Sequence, residues 1–370
     1  MEQNTDLNYP WDAPPAPGTT REIAAGVRWL AMPMPGSLAH INLYLLEDND
    51  GWWVVDTGIA SEEVSHWWHE IFAHELGGRP VKGVICTHFH PDHIGQSTMI
   101  TDHFRCPLYM TRAEYYQARA FSGSGPGNHS SWSGQDFYVR AGMPPEYMTQ
   151  LAAMWQQRAA ENMTMPVMPS GYERLVDGQV LTIGAHDWRV VIGSGHSPEH
   201  ACLYCAALKI MISGDQILPI ITSNVSVHPT EPNANPLKDW MDSLDELLAT
   251  PADTLVLPAH NLPFYGVRAR LRELISHHDD RMLAIEEACV EPQIAKDLLP
   301  VLFARELDPR QMMMALGEAI AHLHLLMHRN RIERSLDEDG HYRFRSIAPD
   351  LARRAHPDAH DAPSDSPVMV

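Results

Sequence analysis

Hydrophobic and polar positions alternate on two different periods along the chain. The runs INLYLLED (41–48) and WWVVDTG (52–58) are rich in branched and aromatic residues and predict two strands. Asn49-Asp50-Gly51 between them predicts a hairpin turn, because these residues tolerate positive φ. SEEVSHWWHEIFAHEL (61–76) moves to helical spacing, with Ser61 placed to cap its N-terminus. VKGVIC (81–86) predicts a short buried strand, and Pro91 keeps the polar segment after it out of a helix interior. A helix is expected over 96–103. Strand-like runs return at 179–195, 201–215 and 253–260. After Pro263 the period is helical again, over 268–289, 291–304 and 308–332, before a short hairpin around Asp339-Gly340.

These patterns predict an α/β domain over 21–265, a linking helix over 266–290 and a small α+β, winged-helix-like domain over 291–347. Segment 110–175 interrupts the strands. It mixes helical patches with a Gly/Ser/Pro-rich loop and many Met and aromatic residues, so it reads as an insertion. Residues 1–20 are Pro-rich and polar and are expected to be flexible, and the polar residues 348–370 are expected to be disordered.

Composition narrows the chemistry. With 370 residues, 44% of them hydrophobic, the chain can bury a large core plus a smaller one. Its formal net charge of -20, from 27 Lys+Arg against 47 Asp+Glu, repels phosphate backbones and disfavours nucleic acid as a partner. Five cysteines at irregular spacing form no disulfide framework and suit a reducing cytoplasm, the expected location. Cys202 and Cys205 sit in an apolar run and read as buried hydrophobes, not as a redox or zinc pair. The N-terminus shows neither the basic nor the apolar region of a signal peptide, and no apolar run is long enough to span a membrane. The 22 histidines raise the weight of metal chemistry.

The densest cluster is THFHPDHIG (87–95). His88 and His90 are two apart and share a face of an extended segment. Asp92 and His93 follow the bend at Pro91 and are placed to serve a second, neighbouring metal. His196 in GSGHSPEH, Asp215 in ISGDQ, His260 in LPAH and Asp56 in VVDTG each follow a strand-like run at its carboxyl end. Loops at one edge of a sheet sandwich would bring them together. His200 reads as a structural neighbour, and Asn224 and His228 read equally as pocket lining or as an ordinary polar loop. His322, His324 and His328 read as surface or packing residues, and His277-His278 as a solvated helix face.

Asp56, His88-x-His90-x-Asp92-His93, His196, Asp215 and His260 match in order the five motifs of the metallo-β-lactamase fold superfamily. The chain resembles most its glyoxalase II-like hydrolases, over 22–265. The C-terminal segment resembles the winged-helix appendage of members similar to the β-lactamase-like protein 2 group. The resemblance implies a four-layer αββα sandwich and two divalent metal ions, zinc first, with iron or manganese compatible with the same ligands. His88, His90 and His196 would hold one ion, and Asp92, His93 and His260 the other. Asp215 would bridge them, and Asp56 would stand behind a ligand histidine and fix its orientation. A water shared by the two ions would become the nucleophile, with Asp92 doubling as proton shuttle.

The substrate is less legible. Met143, Met148, Met154, Met163, Met165 and Met168, with Trp132, Phe137, Tyr147 and Trp155, read equally as an apolar wall over the metals or as the insertion's own core. Such a wall suits a small-molecule acyl substrate, a thioester or ester with an apolar acyl group. Arg112, Arg119 and Arg268 are candidate cations for its carrier. The alternatives are a single-strand endoribonuclease, a lactonase or β-lactam hydrolase, and a mononuclear iron sulfur dioxygenase. The acidic balance opposes the first of these, and the complete second ligand set opposes the last. The C-terminal domain is a candidate for homodimerisation or partner binding.

Overall fold

The structure is a computed structural model and describes residues 6–36, 38–122, 131–160 and 166–347. The tail over 348–370, the residues Met163 and Met165 and the side chain of Trp155 lie outside the described set. Two large sheets form among the described residues. The first follows chain order through β1 (Arg21–Ala24), β2 (Val27–Pro33), β3 (His40–Asp48), β4 (Gly51–Val55), β5 (Val81–Ile85), β6 (Leu108–Met110) and β7 (Glu173–Arg174). It is antiparallel up to β4 and parallel from there on. The second sheet contains β8 (Val180–Ile183), β9 (His186–Gly193), β10 (His200–Cys205), β11 (Ile210–Gly214) and β12 (Leu255–Pro258), with β12 at one edge, parallel to β11.

Alternation along the strands builds the layers. On β3, Ile41, Leu43 and Leu45 join the core under α1 (Glu62–His74), while Tyr44 and Leu46 point to the other sheet. On β11, Ile210 and Ile212 meet that inter-sheet core, and Met211 faces the outer helices. A strand buried on both faces has this near-continuous apolar run. Helices therefore cover both outer faces: α1, α2 (Pro91–Ile94) and α3 (Ser97–Phe104) on one side, α7 (Pro236–Leu247) and α8 (Val267–Ala288) on the other. This is the four-layer sandwich that the resemblance implies. Ser61 caps α1 by accepting the Val64 N–H at 3.1 Å.

Between β6 and β7 the chain leaves the sheet for α4 (Arg112–Ser122), α5 (Ser131–Arg140) and α6 (Pro145–Ala160). Phe137, Tyr138, Met143, Tyr147 and Leu151 of this insertion share one core with the C-terminal helices. Those are α9 (Leu299–Leu302), which continues a 3-10 turn (Ala295–Leu298), and α10 (Pro309–His328), started by a capping box of Asp308 and Gln311. The hairpin β13 (Ile332–Leu336) and β14 (Tyr342–Ser346) closes the domain, turning through Gly340 at φ 84°.

The N-terminal segment is anchored at two points, where Asn8 and Tyr265 exchange both backbone hydrogen bonds and the Trp11 ring meets the edge of Trp29 at 5.9 Å. One expectation is corrected. His278 is 1% exposed, on the face of α8 that packs against α10, so it is no solvated residue. Its neighbour His322 and the buried His324, both on α10, are packing residues, while His328 is exposed.

Candidate metal centre

The loops that follow β4, β5, β11 and β12, with the β9–β10 loop, meet at one edge of the sandwich. They carry Asp56, the His88–His93 stretch, Asp215, His260 and His196 respectively. The structure brings together every ligand candidate named from the sequence. His88, His90, His196 and Asp215 form one group and Asp92, His93 and His260 a second, with the ligand-type atoms of each group within 4.8 Å of one another. Asp215 belongs to both sides: Oδ2 lies 3.3 Å from His196 Nε2, and Oδ1 lies 3.6 Å from His260 Nε2. Asp92 Oδ2 lies 3.5 Å from His93 Nε2 and 3.3 Å from His260 Nε2.

Hydrogen bonding behind the rings shows which atoms are offered forward. His196 Nδ1 donates to the Asn224 carbonyl at 2.8 Å, His93 Nδ1 to Asp56 Oδ2 at 2.8 Å, and His260 Nδ1 to the His40 carbonyl at 3.3 Å. In the neutral rings each Nε2 then carries a bare lone pair aimed at carboxylate oxygens or at another imidazole nitrogen. His196 Nε2 faces His88 Nε2 at 3.3 Å, and His88 Nε2 faces His90 Nδ1 at 2.8 Å. His93 Nε2, His260 Nε2 and both Asp215 oxygens are buried without a hydrogen-bond partner. Converging buried lone pairs are costly unless a cation sits between them. The donor set therefore fits bound metal: imidazole and carboxylate, as divalent transition metals accept.

The buried carboxylates and imidazoles also shift one another's proton affinity. Burial opposes charge on His93, but Asp56, Asp92 and Asp215 outweigh it and hold its pKa well above the usual range. Burial also raises Asp92, yet His93 and His260 hold that carboxyl down at about 2. Burial and the neighbouring imidazoles of His93, His90 and His200 keep His88 well below the ordinary value.

Asp56 adopts φ 59°, a left-handed conformation in which Asp and Asn are tolerated. Its carboxylate accepts the Thr87 N–H at 2.8 Å, the Thr87 hydroxyl and the His93 ring, fixing the entry to the motif as well as the tautomer of His93. Gly95 closes the motif because a Cβ there would lie 2.3 Å from the backbone of Gly58 and Ala60. Asp56→Asn keeps the backbone conformation but removes one acceptor. It is expected to weaken metal binding by about 10- to 100-fold with little change in the fold, read by competition with a chromophoric chelator. Unchanged affinity would remove Asp56 from the site.

His200 is structural, as expected. Its ring stacks on His88 at 4.8 Å, and its Nε2 accepts the Asp215 N–H at 3.0 Å. Asn224 supports His196 through its carbonyl, whereas His228 is exposed. One contributor has no counterpart among the sequence candidates. Glu114 of α4 is fully buried and accepts the Phe89 N–H at 2.9 Å and the Glu199 N–H at 2.8 Å. It ties the loop of His88 and His90 to the loop of His196. Burial pushes its carboxyl up to about 7, against the pull of these amides and Ser197. Only its place at the start of an insertion helix could have flagged it.

Of the two readings of these side chains, the described methionines follow the core. Met143 is buried in the core shared with the C-terminal domain, Met148 and Met154 pack against that core, and Met168 lies under the first sheet. Trp132 is 71% exposed, in a 260 Å³ cavity lined also by Tyr342 and Phe344 of the C-terminal hairpin. The apolar surface at the metal loop comes instead from Phe89, stacked on Phe121 at 5.6 Å and 4.6 Å from the His90 ring. Arg119 and Arg268 are engaged by the carbonyls of Pro169 and Thr250.

A family model described as the metallo-beta-lactamase superfamily matches residues 37–260. The chain belongs to the metallo-beta-lactamase superfamily. A second model, for the metallo-beta-lactamase-like C-terminal domain, matches 282–347. Among solved structures, the chain is similar to a beta-lactamase domain protein from Burkholderia ambifaria. The two are 42% identical with a TM-score of 0.84, covering 92% of this chain and 98% of that one. It is also similar to a metallo-beta-lactamase family protein from Thermus thermophilus, at 26% identity and a TM-score of 0.72, covering 88% and 100%. A curated relative, the hydroxyacylglutathione hydrolase of Roseobacter denitrificans, is 27% identical over 160 residues, 43% of this chain and 59% of that protein. The linear primary-alkylsulfatase of a Pseudomonas species is 23% identical over 261 residues, 66% of this chain and 46% of that protein. The chain thus spans about half the length of these two curated relatives. Among the described residues no helix is long and apolar enough to cross a membrane.

Proposed function

We propose that the chain is a binuclear zinc hydrolase acting on thioesters or esters with an apolar acyl group. The observation that carries the reading is Asp215, whose two oxygens face the two ligand groups at once. Bound there, two cations would supply a shared water whose pKa falls from about 15.7 towards about 7. The residues do the rest. Asp92 is the more exposed of the two carboxylates, at 17% against 1%, and so is the one placed to hand a proton to the leaving group. The Phe89–Phe121 pair beside His90 excludes water and receives the acyl chain. Similarity to a hydroxyacylglutathione hydrolase supports thioester chemistry.

The test is turnover by the zinc-loaded protein of acyl thioesters of increasing chain length, beside lactones, β-lactams, alkyl sulfates and RNA. Thioester turnover that rises with chain length is expected. Preference for alkyl sulfates, or one bound iron with oxygen consumption, would overturn the proposal. Phe121→Ala is expected to lower kcat/KM about tenfold for long acyl chains and little for acetyl, since the lost contact is apolar. An equal loss on both would place the chain elsewhere.

A further inference from the structure

We infer that Glu318 on the C-terminal helix α10 is a positioning residue for the metal centre, acting through Asn224 on His196. The inference rests on reading His196 as a metal ligand. Residues Ile221 to Val227 join the end of the Asp215 loop to α7 and have little regular secondary structure, yet all are buried. Contacts must therefore set their shape. On one side, the Asn224 carbonyl accepts the His196 Nδ1–H at 2.8 Å, which aims Nε2 at Asp215.

On the other side, α10 holds the same residue. Asn224 Nδ2 donates to Glu318 Oε2 at 3.4 Å. Ser226 Oγ donates to Asn224 Oδ1 at 2.6 Å and contacts the Met314 carbonyl at 3.0 Å. Val227 N–H donates to the Gly317 carbonyl at 3.0 Å, and a Cβ at Gly317 would meet Ser226 Cβ at 2.8 Å. Glycine at 317 thus lets the helix lie directly against the segment.

Glu318 is 1% exposed, and Arg281 of α8 lies 3.2 Å from its Oε1. A buried ion pair is weak evidence for stability, because desolvation of both charges offsets their attraction. A packed apolar pair would serve a purely structural role as well. The ion pair adds a fixed acceptor for the Asn224 amide. The turn that bears it is held from behind: His322 Nδ1 donates to the Glu318 carbonyl at 2.8 Å, and His322 Nε2 meets His278 Nδ1 at 3.2 Å. A ligand of the catalytic domain therefore takes its orientation from the C-terminal domain. Partners that orient ligand histidines change metal affinity by about 10- to 100-fold when lost.

The experiment titrates the full-length protein with zinc against a chromophoric chelator, and with cobalt followed by its visible spectrum. The variants are Glu318→Leu, Glu318→Gln and Asn224→Ala. Glu318→Leu and Asn224→Ala are expected to weaken one of the two binding steps by about tenfold or more and to shift the cobalt band of that step. Glu318→Gln, which keeps an acceptor for Asn224, is expected to restore affinity to within about threefold. Wild-type affinities and spectra in Glu318→Leu, with only a lower Tm, would overturn the inference. Where Glu318→Leu does not fold, wild-type affinities and spectra in Asn224→Ala overturn it instead. A wild-type protein that takes up no metal would sink the metal reading itself, a result distinct from equal affinity in wild type and variants.

Discussion

Asp215→Asn is expected to lower turnover by on the order of a thousandfold or more and to cost the protein one of two metal equivalents. The side chains are nearly isosteric, so packing around this buried position survives. The Asp215 N–H to His200 bond is made by the backbone and survives as well. The lost features are the charge and the second acceptor. The amide offers one oxygen in place of two, and its NH2 would face a bare imidazole nitrogen such as that of His260 or His196. His93, His260 and His196 hold the native carboxyl well below the usual range, against its burial, so the site is built around an anion. Metal content by mass spectrometry, paired with thioester turnover, checks this. Two bound metals with near-normal turnover would show that Asp215 does not bridge.

Metal removal is expected to have the second largest effect, on stability. A ligand at about a thousandfold excess over its Kd stabilises the native state by about 4 kcal/mol per site. Two sites at that saturation would lower Tm by on the order of 10 °C when stripped. The structural reason is the set of buried atoms without a hydrogen-bond partner that a cation would satisfy, His93 Nε2, His260 Nε2 and the Asp215 oxygens. Calorimetry before and after chelation, then after restoring zinc, measures it. An unchanged Tm in protein verified as metal-free would mean that the empty site relaxes without cost.

Much of the site was legible because its signals are local. The hairpin at Asn49-Asp50-Gly51, the Ser61 cap and the runs ending at Asp56, Thr87, Asp215 and His260 are short-range patterns. Backbone sterics and strand alternation enforce them directly. Among the supports, Asp56 was named through the family motif, but the two buried glutamates were not legible. Glu114 and Glu318 look like surface residues on amphipathic helices, and nothing nearby in sequence marks the amides they meet. Phe89–Glu114 and Asn224–Glu318 are separated by 25 and 94 residues, so only packing reveals them. The methionines of the insertion could not decide between pocket and core for a related reason. Met fills any irregular core, and composition cannot say which surface that core faces.

The sequence by itself determined the ligand types, their order and the strand ends that carry them, because a metal site needs particular donor atoms and a strand needs a particular period. Tertiary structure alone decided which histidine Asp56 serves, which carbonyls stand behind His196 and His260, where the insertion packs, and that α10 of the C-terminal domain meets Asn224. Those are contacts between segments distant in the chain, set by how buried surfaces fit and how their polar groups find partners. No local pattern encodes that fit.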